Sequence, residues 1–251
     1  MTILLLPFAV FNEGDEVSAK LARQLPRMLG SEIERSCASY DIAAKFLSAR
    51  GSAQDGRPGL VSTIVLPELE TLLQTGEMYG ADLIIAGQLG LGDRELRLDM
   101  RIASRKKKAM VYAKHFETFP SYIFDALEEI KLRTTQLLGL ALGEEERVVL
   151  FQRATESWQA LLFFLLAEDE RYGLTIGIQP GDLLQPLELY RESLLVDPDF
   201  AEARSGLEHY LLMLLELPDF AVPRLNLVVK QYGDYLSEPI KELLREVVGL
   251  E

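Results

Sequence analysis

Four apolar residues, Leu96, Leu98, Met100 and Ile102, alternate strictly with Arg97, Asp99 and Arg101. Successive side chains of an extended strand point to opposite faces. Period two therefore places the apolar set on a core and the charged set in water. The pattern resumes after the basic run Arg105–Lys108, where Met110, Tyr112 and Phe116 alternate with Val111, Ala113, His115 and Glu117. Two such runs predict an antiparallel hairpin with one wet face, and the basic run is its solvated turn. A helix cannot carry this pattern, so part of the chain must be a sheet covered on one side only.

The residues around this hairpin supply the rest of that sheet and its cover. Ile3 to Val10 is a near-continuous apolar run, as expected of a strand buried on both faces. Asn12 to Glu16 is a polar turn. Asp15 is placed to cap a helix whose apolar stripe is Val17, Leu21, Leu25, Met28, Leu29 and Ile33. Pro26 lies inside that stripe and predicts a kink or break. A short strand is expected around Tyr40 to Ala43, then the start of a helix and a loop marked by Gly51, Gly56, Pro58 and Gly59. Leu66 to Tyr79 has helical spacing and closes on Gly80, as on a C′ glycine. Ala81 to Ala86 is an apolar strand, and from Ser121 to Leu142 the period is again helical.

The order β-α-β-α-β-β-β-α describes a mixed sheet with helices packed on it. Beyond Gly143 and the acids Glu144 to Glu146 every pattern is helical, over 148–169, 183–196, 200–217, 222–232 and 237–248. The fold class is therefore α+β. A mixed-sheet α/β domain is expected over residues 1–143 and an all-α domain over 144–251.

Charge and motifs narrow the function. A net charge of −13, from 39 acids against 26 bases, argues against a nucleic-acid or anionic-membrane partner, because such partners are held by Lys and Arg neutralising phosphates. No apolar run reaches bilayer length, and the N-terminal run has neither a basic leader region nor a small-residue cleavage site, so no membrane insertion is expected. The single Cys37 excludes an internal disulfide and reads as a packing thiol. His115 and His209 fall on different domains, so no metal site and no cofactor is expected. Nucleophile elbows and P-loops are absent from the sequence, and no catalytic residue is assigned. "GQLGLG", residues 87–92, lacks dinucleotide-binding spacing and precedes a hairpin, not a helix; it reads as a strand end with a bulge. Asn12, Gly87 and Gly90, near the expected strand ends, form a candidate ligand pocket.

In the helical half, "LLVDPDFAEA", residues 194–203, turns sharply between two helical patterns. Pro198 cannot continue the first helix, Asp199 is placed to cap the second, and Ala203 allows close approach. Trp158, Phe163, Tyr190 and Tyr210 lie on helical stripes and form the candidate partner groove.

Four stretches resemble known families. "ILLLPFAVFNEGDEVSAKLARQL" is similar to the opening of TolB N-terminal-like domains: an apolar strand, Pro-Phe, a polar turn and a helix. "MYGADLIIAGQLGLGDRELRLDMRIASRKKKAMVYAKHFE" resembles their second signature. "TESWQALLFFLLAEDE" with "PLELYRESLLVDPDFAEARSGLEHYLLMLL" resembles tetratricopeptide (TPR) helices, with Leu189, Tyr190, Ser193, Pro198, Ala203 and Leu207 at the packing positions. Pro186 and Glu208 depart from that pattern, which prefers small residues there. The resemblance implies a bacterial, cytoplasmic signalling or regulatory protein without an output module. The expected role is a non-enzymatic protein–protein interaction module, an adaptor, scaffold or regulatory subunit with a protein partner and scope for homo-oligomers. The alternative is a domain that senses a small molecule, such as a nucleotide, and transmits its occupancy to a partner.

Overall fold

The computed structural model describes the chain except residues 13, 48–49, 53–57, 61–63, 93, 177–181, 217–229 and 249–251, and gives backbone alone at 50–52, 58–60 and 246–248. It is α+β and divides into two compact units, Met1–Arg153 and Ala154–Glu251.

The first unit is built on a mixed sheet. Its strands are β1 (Thr2–Leu5), β2 (Ala9–Val10), β3 (Ala43–Phe46), β6 (Leu83–Leu91), β7 (Leu96–Ser104) and β8 (Ala109–Thr118), in the order β3-β1-β6-β7-β8 with β2 also on β6. β1 runs parallel to β3 and β6, while β7 and β8 are antiparallel. A separate two-stranded hairpin, β4 (Arg50–Ser52) and β5 (Pro58–Leu60), occupies the stretch expected to hold a helix start and a loop. The helices are α1 (Glu16–Ser36), α2 (Leu69–Tyr79), α3 (Ile123–Leu137) and α4 (Glu144–Phe151).

The two faces of the sheet are covered differently. On one, a Cβ at Gly30 of α1 would meet Leu5 and Phe46 at 2.7–2.8 Å, so α1 lies close on the sheet. On the other, Leu72 of α2 packs with Leu4, Ile84, Ala86 and Ala103, all fully buried or nearly so. α3 shares the α1 face: Lys131 pairs with Glu32 of α1 at 3.2 Å, and Tyr112 and Lys114 of β8 both reach Glu129 of α3.

Two prolines answer each other here. The expected single strand from Ile3 to Val10 is interrupted at Pro7. Ile3 faces Leu83 of β6 but Ala9 faces Gln88, so one extra residue has been inserted on the β1–β2 side. The Phe8 N–H is thereby turned out of the ladder and donates to the Ala22 carbonyl of α1 at 2.8 Å. That carbonyl is free because its helical partner four residues on is Pro26, which has no N–H. α1 accordingly continues through Pro26 without the expected break.

The N-terminus of α1 is capped as expected, with Asp15 accepting from Ser18 N–H at 3.0 Å. Gly80 adopts φ +67° at the end of α2, and Arg105–Lys108 is the exposed turn between β7 and β8. A bulge between Ile102 and Ala103 sets the register of that hairpin. It leaves Tyr112 opposite Ile102 but puts Met110 opposite Ala103, on the α2 face, so Met110 and Tyr112 do not share a side as simple alternation requires. The expected strand at 40–43 instead begins at Ala43, after a 3₁₀ turn over Ala38–Tyr40.

α4 belongs to the sheet unit, not to the helical one. Glu146 accepts from Ser39, Tyr40 donates to the Ala141 carbonyl at 2.6 Å, and Arg153 pairs with Asp125 and Glu128 of α3. The units therefore part at 153/154, later than the 143/144 boundary drawn on the acidic run. The helix expected over 148–169 is likewise two helices, because Ser157 caps a new start, accepting from Ala160 N–H at 3.2 Å.

The second unit holds α5 (Trp158–Thr175), α6 (Gln185–Val196), α7 (Ala201–Leu215) and α8 (Glu238–Val248). The helix expected over 222–232 falls largely outside the described residues. At the Asp-Pro-Asp turn, Asp197 accepts from Thr155 at 2.5 Å and from Asp199 N–H at 3.2 Å. Asp199 does not cap α7. The N-cap position is held by Phe200, whose ring is fully buried, and no side chain caps that end. Both departures from the TPR pattern have local explanations. Pro186 sits in the first turn of α6, where its missing N–H costs nothing. Glu208 points away from α6 and accepts from Ser237 N–H at 2.6 Å, fixing the start of α8.

Candidate functional site

The candidate ligand pocket near the strand ends is filled by the chain itself. β6 runs through Gly87 and Gly90 to its end at Leu91, in continuous register with β7, so "GQLGLG" closes a strand, as expected, but holds no bulge. A Cβ at Gly87 would stand 2.9 Å from the Asp99 carbonyl and Met100 Sδ and 3.0 Å from Phe8. A Cβ at Gly90 would meet Phe11 at 3.0 Å. These glycines make room for neighbouring side chains, not for a ligand. Asn12 is exposed, and Leu91 N–H is taken by Ser18 Oγ at 2.9 Å.

The candidate partner groove also changes. Tyr190 and Tyr210 have no exposed surface, so no partner can touch them. The Tyr190 hydroxyl donates to Glu168, which pairs with Arg171, and the Tyr210 hydroxyl donates to the Leu183 carbonyl at 3.0 Å. Burial, then the nearby Glu168 charge, pushes the Tyr190 phenol well above its ordinary pKa, so it remains a neutral donor. Trp158 and Phe163 are half-buried, but five residues apart on a helix means about 140° around its axis, so they do not form one line.

What α5 does present is different. Ala160, Phe164 and Glu168 face α6: Ser193 bonds the Ala160 carbonyl, Phe164 packs on Tyr190 with ring centroids 6.3 Å apart, and Glu168 holds the Tyr190 hydroxyl. On the opposite arc Leu162, Phe163 and Leu166 lie half-buried, beside Gln159 and Glu170. Of the aromatic set, Phe163 alone belongs to this face. The signal in the sequence is the run "LLFFLL", in which six consecutive apolar residues exceed what one buried stripe of a helix can use.

A second cluster lies on the wet face of the β7–β8 hairpin, where strand alternation alone does not point to it. Asp99 stands opposite His115, and Arg97 opposite Glu117. His115 Nδ1 is 2.5 Å from Asp99 and Nε2 is 3.3 Å from Glu117, while Arg97 pairs with Glu95 at 2.7 Å. This pairing depends on the bulge, because without it Asp99 would face Lys114. Hydrogen bonds to Asp99 first and Glu117 second raise the imidazole pKa, favouring the charged form. A raised pKa means the stabilisation is complete at acid pH, below the ordinary value of about 6.5, and is lost as pH rises through the folded value. The expected result is an NMR titration midpoint for His115 above that of a free imidazole, shifted down by Asp99→Asn. A midpoint unmoved by Asp99→Asn would show the pairing to be absent in solution.

Cys37 is fully buried, and burial, then the Glu146 charge, holds its thiol protonated above its usual range, which suits packing and not nucleophilic attack. His209 is exposed on α7. Among the described residues no group of three or more His, Cys, Asp or Glu is arranged to hold a metal, and no helix is long and apolar enough to cross a membrane.

No known family matches the sequence, and no curated protein matches it. Among solved structures, the PelC dodecamer from Paraburkholderia phytofirmans is similar in two crystal forms. A single-substitution variant shows 6% identity and a TM-score of 0.30 over 61% of this chain and 89% of that one. The other form shows 9% identity and a TM-score of 0.28 over 60% of this chain and 86% of that one.

Proposed function

We propose that this chain is a non-enzymatic binding module, a cytoplasmic adaptor, scaffold or regulatory subunit. In this reading a TolB N-terminal-like sheet domain accompanies TPR-like helices that receive a protein partner. The observation that carries it is the face of α5 turned away from α6, where Leu162, Phe163 and Leu166 are only half-buried, whereas Leu161 and Leu165 are buried and Phe164 packs on Tyr190 of α6. Such a face suits an apolar anchor from another protein. Burial of Tyr190, Ser193, Ala203 and Leu207, four of the six TPR packing positions, supports the helical likeness. Charge supports the choice of partner: residues 154–251 hold 18 Asp and Glu against seven Lys and Arg, whereas residues 1–153 hold 21 against 19. An acidic surface attracts a basic partner segment and repels polyanions.

The test is affinity purification of the full chain from its native host beside a Phe163→Asp/Leu166→Asp variant. The expected result is a protein recovered with the wild type at low salt, lost with the variant, while both melt at the same temperature. A partner retained by the variant, or none recovered by either, would remove this face from consideration.

A further inference from the structure

A cleft of about 670 Å³ opens between α2 and the β7–β8 turn, on the sheet face opposite α1. Its lining combines Leu69 and Leu73 of α2 with Glu70 and Glu77 of the same helix and with Arg105 and Lys108 of the turn. Leu69 and Leu73 are half-buried and pack on the fully buried cluster beneath. The volume lies within the range of small-molecule sites.

The charged residues around it, Glu70, Glu77, Arg105 and Lys108, are all exposed. The Lys108 ammonium and the Glu77 carboxylate line the same cleft, yet neither makes a hydrogen bond or ion pair with any described residue. Arg105 reaches Asp82 only at 3.5 Å with both groups nearly half exposed, a contact of small worth. Among the described residues Glu70 is engaged by Gln74 alone, at 3.4 Å. Opposite charges thus border one apolar floor without reaching each other. The turn itself is fixed, since Lys108 holds a left-handed backbone, φ 51°, and its N–H bonds the Arg105 carbonyl at 3.3 Å. A neutral ligand satisfies neither charge and a singly charged one leaves the other unanswered. A small zwitterion with an aliphatic body answers both: its carboxylate meets Lys108 and Arg105, its ammonium meets Glu77, and its side chain covers Leu69 and Leu73.

We propose that this cleft binds an apolar α-amino acid or dipeptide as the zwitterion. The site is independent of the α5 face and gives the sheet unit a ligand-binding role of its own, at a different place from the strand-end position near Gly87.

The test is calorimetric titration of the full chain with L-leucine, L-leucyl-L-leucine and N-acetyl-L-leucine amide, which keeps the body and removes both charges. The expected result is saturable binding of at least one zwitterion, about tenfold tighter than the capped amide, since removing a charge-assisted hydrogen bond in an open site weakens binding to that degree. The tighter of the two zwitterions identifies the amino acid or the dipeptide as the fitting ligand. Lys108→Asn, which tolerates the left-handed backbone, and Glu77→Gln are each expected to weaken it by about threefold to tenfold with an unchanged melting temperature. Equal binding of the capped amide, binding unaffected by both variants, or no saturable binding of either zwitterion would overturn the proposal.

Discussion

Replacing Gly206 with valine is expected to destabilise the helical unit by about 3 kcal/mol, at the upper end for overpacking a core. A Cβ at this position would stand 2.5 Å from Cε1 and 2.9 Å from Cζ of Tyr190. The ring has nowhere to go. It is fully buried, its hydroxyl is held by Glu168, and Phe164 packs against it. Helix propensity works in the other direction, because glycine in a helix interior costs about 1 kcal/mol relative to alanine. Gly206→Ala therefore separates the effects: a loss of stability shows that the clash outweighs the propensity gain, and a gain shows that α6 and α7 can move apart. Trp158 is the sole tryptophan and lies at the start of α5, so its fluorescence reports on the helical unit alone. The midpoint of its denaturant transition should fall for valine. A variant with an unchanged midpoint that loses only a bound partner would mean that Gly206 and Tyr190 line a binding surface and not a core.

Much of the architecture can be read from periodicity. The β7–β8 hairpin, the cap at Asp15, the left-handed Gly80 and the helical character of the C-terminal half each rest on local rules that need few neighbours. The remaining features need three dimensions. The extra residue at Pro7 and the continuity of α1 through Pro26 explain each other only when Phe8 and Ala22 are seen side by side. The bulge at Ile102/Ala103 decides which charges meet His115, and alternation along one strand carries no information about register across two. Aromatic residues on a helical stripe predict burial or exposure equally well. Tyr190 and Tyr210 resolve to core and Phe163 to a half-buried position, because only the position of α6 distinguishes the two arcs of α5. Composition places α4 with the helical domain, whereas Glu146 and Arg153 tie it to the sheet unit through specific partners that composition does not encode.

The second large effect belongs to the sheet unit. Lys131→Ala is expected to lower its stability by about 3 kcal/mol, because breaking one side of a buried ion pair costs more than the pair contributes. The side chains of Lys131 and Glu32 are 4% and 12% exposed, and they meet at 3.2 Å between α3 and α1 on one face of the sheet. Alanine removes the ammonium and opens a void, while the carboxylate stays in a site poorly reached by water. Glu32 makes a further interaction, which places the cost at the lower end of the range for fully buried pairs. Replacing both residues, as Glu32→Met/Lys131→Met, leaves no charge to solvate and fills the volume, so the double variant should be more stable than Lys131→Ala and close to the wild type. Amide exchange along α3 measures this directly, and Trp158 fluorescence serves as the internal control because its unit carries neither residue. If the double variant is no more stable than Lys131→Ala, desolvation is not what makes the single substitution costly, and weakened packing between α1 and α3 takes its place as the cause.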